Sequence, residues 1–492
     1  MQLTLPTTAF ECQNLIGGTW QTGIDLERRD LHSPYTGQRI GSVPMSNAAE
    51  IDRVVKAAAA AAITWRTTPA KERAQLLFKF RELLLANADE LGQSAALESG
   101  KTVAEGKAGV LKGVEVLEYA LSLQNLDDGA QLEVSRGVTC EVKREPLGVV
   151  AGIAPFNFPA MVPMWMIPIA LAVGNAFILK PSEKVPITAC KLGQLILDAG
   201  LPPGVFSIIH GGRDTVDVLV DHPSVAALGF VGSSAAARSV YSRAALAGKR
   251  ALCLGGAKNH LIVVPDADPT LTIQGVVDSF TGCAGQRCMA ASLLVAVGEV
   301  DGLIDAIVER ARGIVLGRDM GAIIDKASLD RLHRAIERGV ADGAKLRLDG
   351  RQAKAPEQYG GGTWLGPTIL DHAAPEWACA KDELFGPVIT IVRVKTLEEA
   401  LSLEAANPYG NATSIFTTRG GVARMVADRA TSGMIGINIG VPVPREPFSF
   451  GGTKTSRFGA GDLTGAGGVE HWTQLKKITA KWAQHSDATW MS

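Results

Sequence analysis

The chain reads as an α/β protein of two doubly wound parallel-sheet lobes with a small β arm for oligomerisation. Three observations predict this. From Leu147 onward, short apolar runs without polar alternation (GVVAGIAP, AFILKPSE, GVFSIIHGG, VAALGFVGS, HLIVVPDAD, SLLVAVG) recur between helical stretches, as expected of parallel strands covered on both faces. The length of 492 residues suits two or three domains of about 100–200 residues. By contrast LEVSRGVTCEVKREP, from Leu132 to Pro146, reads as polar strands interrupted by glycine, too poor in apolar side chains for a core and suited to subunit contact.

Along the chain, the first third is helix-rich. Asn47 with Glu50 three residues on resembles a capping box, and Thr68-Pro69 an N-cap followed by proline at the first helical position. Amphipathic helices then run to about Gln124. Pro146 to Leu179 carries no charged side chain, but Pro155, Pro159, Pro163 and Pro168 would leave backbone groups unpaired in lipid. A buried strand, loop, helix and strand is expected there instead. The expected partition is 1–124 with 147–253 for the first lobe and 254–455 for the second. Segments 125–146 and 456–492 form the arm and C-terminal segment.

Charge and cysteine usage narrow the function. The 49 Lys+Arg balance 50 Asp+Glu, so no global field holds nucleic acid or an anionic membrane. Seven scattered cysteines with no CxxC, and no HExxH, point to a reducing, cytoplasmic setting without a metal site. The N-terminal MQLTLPTTAFECQN lacks the features of a secretory or transit signal. Gly100-Lys101-Thr102 ends like a phosphate loop, but Ala95 stands where the first glycine belongs, so a helix end is the better reading. Neither GxSxG nor a well-placed GxGxxG occurs.

Phe280-Thr-Gly-Cys-Ala-Gly-Gln-Arg-Cys288 is more informative, because small residues admit a ligand close to the backbone and the run ends in a thiol able to act as nucleophile. Cys12, Cys190 and Cys283 read as inert buried thiols. Cys288 differs by its company: PFNFP (Pro155–Pro159), ILKPSE with Lys180 and Glu183, Phe230-Val-Gly-Ser233, Leu254-Gly-Gly256, Glu383-Leu-Phe385-Gly-Pro387 and Asn407-Pro-Tyr-Gly410 occur in order. With this set the chain resembles the aldehyde dehydrogenase superfamily over essentially its whole length. PFNFPAMVPMWMIP, GAKNH, AGQRCMA, NPYGNATSIFTT and VPVPREPFSF are most similar to its CoA-acylating methylmalonate-semialdehyde (malonate-semialdehyde) branch.

The resemblance implies a Rossmann-like NAD domain and a catalytic domain, a small-molecule aldehyde substrate, CoA as acyl acceptor, and a homodimer or homotetramer. It implies Cys288 as nucleophile and Asn157 as oxyanion donor. Phe156, Lys180, Glu183, Ser233, Glu383 and Phe385 would hold NAD, and a carboxylate at Glu183 would oppose a 2′-phosphate. Arg287 and Lys112 stand where the branch places arginines for a substrate carboxylate. Cys253 is taken for the position before Leu-Gly-Gly that holds a base in hydrolytic members, and Gln474 for that of a second carboxylate. Without either base, thiolysis by CoA is expected over hydrolysis. A hydrolytic NAD-dependent enzyme releasing free acid is the alternative, and a catalytically silent binding protein a more distant one. Ala237 replaces a glycine usual in the family.

Overall fold

The computed structural model describes residues 2–23, 25–125 and 129–482. Its core holds two large sheets. The first runs, edge to edge, through Arg457–Phe458, Arg250–Leu254, Val225–Val231, Val149–Ile153, Ala176–Lys180, Phe206–Ile208, Asn14–Ile16 and Thr19–Gln21. Its five inner strands, from Arg250–Leu254 to Phe206–Ile208, are mutually parallel. The chain starts at Val149–Ile153, builds outward to Phe206–Ile208, then crosses back to lay Val225–Val231 on the opposite side. That reversal makes a switch point between Val149–Ile153 and Val225–Val231, where a doubly wound sheet opens a crevice at its carboxyl ends.

The inner strands are buried on both faces: alternate side chains of Val149–Ile153 enter two different apolar clusters, Val150 on one side and Val149, Ala151 and Ile153 on the other. The second sheet orders Lys345–Leu348, Thr368–Asp371, Val388–Val394, Ala291–Val297, Asn259–Val263, Ala412–Phe416 and Met434–Ile437. All its strands are parallel except the first, an antiparallel edge.

The proline-bearing apolar stretch forms a strand, a loop, the helix Met161–Ala172 and the strand Ala176–Lys180. The helix is almost wholly buried, so its lack of an amphipathic pattern marks an interior helix. No helix among the described residues is long and apolar enough to cross a membrane. Gly100 ends the helix Ala88–Ser99 at φ 83°, and Thr102 opens Val103–Ser122 with a complete capping box to Glu105. Gly-Lys-Thr is therefore a helix-to-helix joint.

Local expectations differ from the structure in three places. Asn47 caps Ala48–Trp65 through the Glu50 N–H, but the Glu50 carboxylate pairs with Arg53 instead of returning to the cap. Thr68 Oγ1 donates back to the Thr64 carbonyl at 3.2 Å, leaving Pro69 to open the next helix without a side-chain cap. The first 44 residues also supply strands: Phe10–Glu11, Arg39–Pro44 and Arg28–His32 form a small sheet, and Asn14–Ile16 with Thr19–Gln21 extends the first large one. At two to six residues each, they are too short for a period-2 pattern to register.

The arm is a three-stranded antiparallel sheet of Ala130–Ser135, Val138–Pro146 and Thr473–Lys481. Residues 126–128 and 483–492 of the expected arm and C-terminal segment lie outside the described residues. The 456–472 stretch departs from that grouping and returns to the first lobe. Arg457–Phe458 pairs with Arg250–Leu254, and Trp472, fully buried, meets Phe177 edge-on at 5.9 Å.

Asn175, fully buried, ties these parts together. Its Oδ1 accepts from the Leu147 and Gly148 N–H groups, and its Nδ2 donates to the carbonyls of Ala170 and Trp472. Asn175→Ala would strand those groups and should lower unfolding free energy by roughly 2–4 kcal/mol, measured by denaturant titration.

Candidate active site

The crevice at the first sheet's switch point is a cavity of about 530 Å³. Ile153 to Phe158 line it after one strand, Lys180 to Lys184 after the next, and Phe230 to Ser233 and Gly255-Gly256 after two more. The second lobe closes it with Cys288, Arg331, Glu383 and Phe385. All six residues expected to hold a cofactor (Phe156, Lys180, Glu183, Ser233, Glu383, Phe385) share this wall.

Their chemistry suits a dinucleotide. Ser233 caps the helix Ser234–Leu246, whose N-terminus favours a pyrophosphate. Lys180 donates to Glu183 Oε2 at 3.2 Å, and Arg29 lies 3.8 Å from Oε1. Burial works to raise Glu183, but Lys180 and Arg29 hold it below the ordinary carboxylate range, so it stays ionised. Burial of Lys180 pulls its ammonium below the usual lysine value. Glu383 accepts from the Ala257 N–H at 2.8 Å and is pushed by burial to about 7. A Cβ on Gly256 would lie 2.3 Å from Glu383 Oε2, so only glycine lets that carboxylate approach. Phe156 and Phe385 meet edge-on at 5.7 Å. Ala237, where the family has a glycine, turns its methyl into the core below the helix, away from the crevice.

Cys288 follows an unusual turn. Cys283, Ala284 and Gly285 have φ of 53°, 52° and 67°, a left-handed run that costs a non-glycine residue about 1–2 kcal/mol. Surrounding bonds hold it. Glu105 Oε1 accepts from the Cys283 N–H at 2.6 Å, while buried Gln286 donates to the Ala322 carbonyl and accepts from the Ile324 N–H. Two amides, Asn259 Nδ2 at 2.7 Å and Asn411 Nδ2 at 2.9 Å, clamp the Cys288 carbonyl. Asn157 Nδ2 donates to the Gln286 carbonyl at 3.0 Å, which orients its amide and leaves the second N–H for a ligand. Burial pushes the Cys288 thiol to about 12, with Glu383 adding to the rise and its own backbone N–H and Arg287 opposing it.

A second cavity, of about 280 Å³, meets Cys288 from the other side, lined by Phe158, Met161, Trp165, Met289, Val441, Val443 and Phe450, with Lys112, Arg287 and Arg445 as its cations. The thiol thus stands where the crevice and a cation-bearing cavity join.

Two of the expected positions lie away from both cavities. Cys253 is fully buried in the cluster with Ile51 and Val54, whereas Leu254 enters the cluster against which Cys288 packs. One residue along a strand reverses the face; neither side chain lines the crevice or the smaller cavity, and neither carries a carboxylate. Gln474 is exposed on the arm, in register with Glu145, and takes no part in the site. Asn259, Asn411, Gln286, Arg331 and Arg445 were not singled out from sequence. Asn259 and Asn411 lie within or beside GAKNH and NPYG, but only the fold brings them to one carbonyl.

The model of the aldehyde dehydrogenase family matches residues 20–478. The chain belongs to that family. It is 42% identical over 478 residues to malonate-semialdehyde dehydrogenase 2 of Geobacillus kaustophilus, covering 96% of this chain and 98% of that one. It is also 42% identical to the acylating mitochondrial methylmalonate-semialdehyde dehydrogenase of Arabidopsis thaliana, over 98% of this chain and 80% of the relative. The methylmalonate-semialdehyde dehydrogenase of Oceanimonas doudoroffii superposes with a TM-score of 0.95 at 37% identity, over 96% of this chain and 99% of that one. A Sinorhizobium meliloti structure complexed with NAD and assigned to the same activity gives 0.96 at 38% identity, over 98% and 100%.

A thiol near 12 is ionised to only about one part in 10⁵ at neutral pH. Alkylation of Cys288 by iodoacetamide, followed by peptide mass spectrometry on the ligand-free protein, should therefore rise about tenfold per pH unit from pH 7 to 10 without a plateau. A plateau near pH 8 would show a thiol already activated by the protein alone.

Proposed function

We propose that the chain is an NAD-dependent, CoA-acylating dehydrogenase of a small semialdehyde bearing a distal carboxylate, of the malonate or methylmalonate type. The observation that carries this is Cys288 at the junction of the two cavities, with no carboxylate at residue 253 or 254 to activate water. The activities for which the relatives are named support the substrate class and the acyl transfer.

In this reading the Cys288 thiol gives up its proton to solvent, and Sγ attacks the aldehyde carbon from the floor of the smaller cavity. The resulting oxyanion accepts the free Asn157 N–H and the Cys288 backbone N–H, donors already oriented before the reaction and so needing no reorganisation. Lys180 and Glu183 bind the adenosine ribose, Ser233 and the helix behind it the pyrophosphate, and Glu383 with Phe385 the nicotinamide ribose. Bound there, NAD serves as hydride acceptor. Loss of hydride from the oxidised carbon leaves a thioester on Cys288, and the CoA thiol displaces Sγ to release acyl-CoA. Arg287 sits beside the substrate cavity to favour an anionic substrate.

Glu383, near 7, gives the hydrolytic alternative one observation in its favour, since it is a carboxylate in the crevice able to accept a proton at neutral pH. Its oxygen is engaged by the Ala257 N–H, which suits a binding role better. The exposed edge strand Ala130–Ser135, with Leu132 and Val134 facing solvent, supports assembly into a homodimer or homotetramer through the arm. Free thiols at all seven cysteines suit the cytoplasm.

Rapid mixing with NAD and malonate semialdehyde should give a burst of NADH near one per active site, then a slow phase that CoA accelerates while acyl-CoA accumulates. Fast turnover to free acid without CoA would overturn the acylating assignment and point to Glu383. Asn157→Ala should slow the burst by about 10²–10³ with NAD affinity, measured by fluorescence titration, little changed.

A further inference from the structure

The cations of the smaller cavity are not equivalent. Lys112 Nζ is 2.7 Å from Glu115 and 3.3 Å from Glu446, so two carboxylates already neutralise it. Arg287 Nη2 donates to the carbonyls of Asp278 and Ser279, which anchors its guanidinium under the thiol turn, while Nη1 has no partner among the described residues. Arg445 lines the cavity, yet its side chain makes no hydrogen bond or ion pair among the described residues. Arg445 is exposed at this cavity, so two guanidiniums with unpaired N–H groups line one space, and two planar forks can grip one carboxylate from two sides.

The loop that carries Arg445 is held in place. The next residue, Glu446, is bound to Lys112 on the helix Val103–Ser122, and Phe450 at the loop's far end packs on Trp165 with ring centres 4.6 Å apart. We infer that Arg445, together with Arg287, reads the distal carboxylate of the substrate, and that Lys112 is a positioning residue that tethers the Arg445 loop through Glu446. This rests on the proposed semialdehyde reading and names a residue that reading did not include. It also explains how a lysine can stand where a second arginine is expected: the anion-reading fork comes from the loop instead.

The test measures kcat/KM for malonate semialdehyde and for propanal, with NAD and CoA, in Arg445→Met, Arg445→Lys, Lys112→Met and the Lys112→Met/Arg445→Met double variant. Arg445→Met should lower the ratio of malonate semialdehyde to propanal by about 10- to 100-fold, mainly through KM, and Arg445→Lys should recover part of it. Lys112→Met should lower the ratio less, and the double variant should be no worse than Arg445→Met, since both act through one guanidinium. An Arg445→Met ratio within about twofold of wild type, or independent and additive losses from the two positions, would overturn the inference while leaving the proposed function standing. A wild-type enzyme that does not prefer the carboxylated substrate would instead remove the reading beneath it.

Discussion

Everything in the site depends on holding one thiol at the meeting point of two cavities. The first sheet opens its crevice at the carboxyl ends of Val149–Ile153 and Val225–Val231, and the second lobe must deliver Cys288 to its rim. A helix cannot do that and then enter the strand Ala291–Val297, so the backbone turns through three left-handed residues, two of which carry side chains. That geometry is costly in isolation. It persists because Glu105 bonds the turn, Gln286 ties the next residue to Ala322, and Asn259 and Asn411 clamp the Cys288 carbonyl that follows. These side chains come from both lobes, so the position of the Cys288 thiol depends on the whole fold.

The electrostatics follow from the same placement. Cys288 and Glu383 sit behind apolar walls, and burial drives both toward their neutral forms. Glu183, nearer the outer end of the crevice, remains ionised because two cations attend it. The crevice thus keeps a fixed negative charge at Glu183, while burial favours the neutral forms of Cys288 and Glu383.

The arm and the C-terminal segment show how distant parts of the chain become one unit. Arg457–Phe458 completes the first sheet, Trp472 seals its core against Phe177, and Thr473–Lys481 leaves the lobe to pair along Val138–Pro146. Asn175 stands at the departure point, bonded to the chain on both sides of it.

Much was legible in the sequence alone. Apolar runs without alternation announce parallel strands, since only strands covered on both faces lack a polar side, and the ordered motifs placed Cys288, Asn157, Lys180, Glu183, Ser233, Glu383 and Phe385 on what proves to be a single cavity wall. What the tertiary structure decided were matters of facing and pairing. Cys253 and Leu254 differ by one residue, and only strand register tells which apolar cluster each enters. Gln474 was assigned to the site by its place near the C-terminus, but strand pairing carries it onto the arm. Lys112 and Arg445 are separated by more than half the chain, and which cation is free depends on where Glu115 and Glu446 come to rest. Periodicity and motif order report local preference, whereas the partner of a charged side chain is set by contacts between segments far apart in sequence.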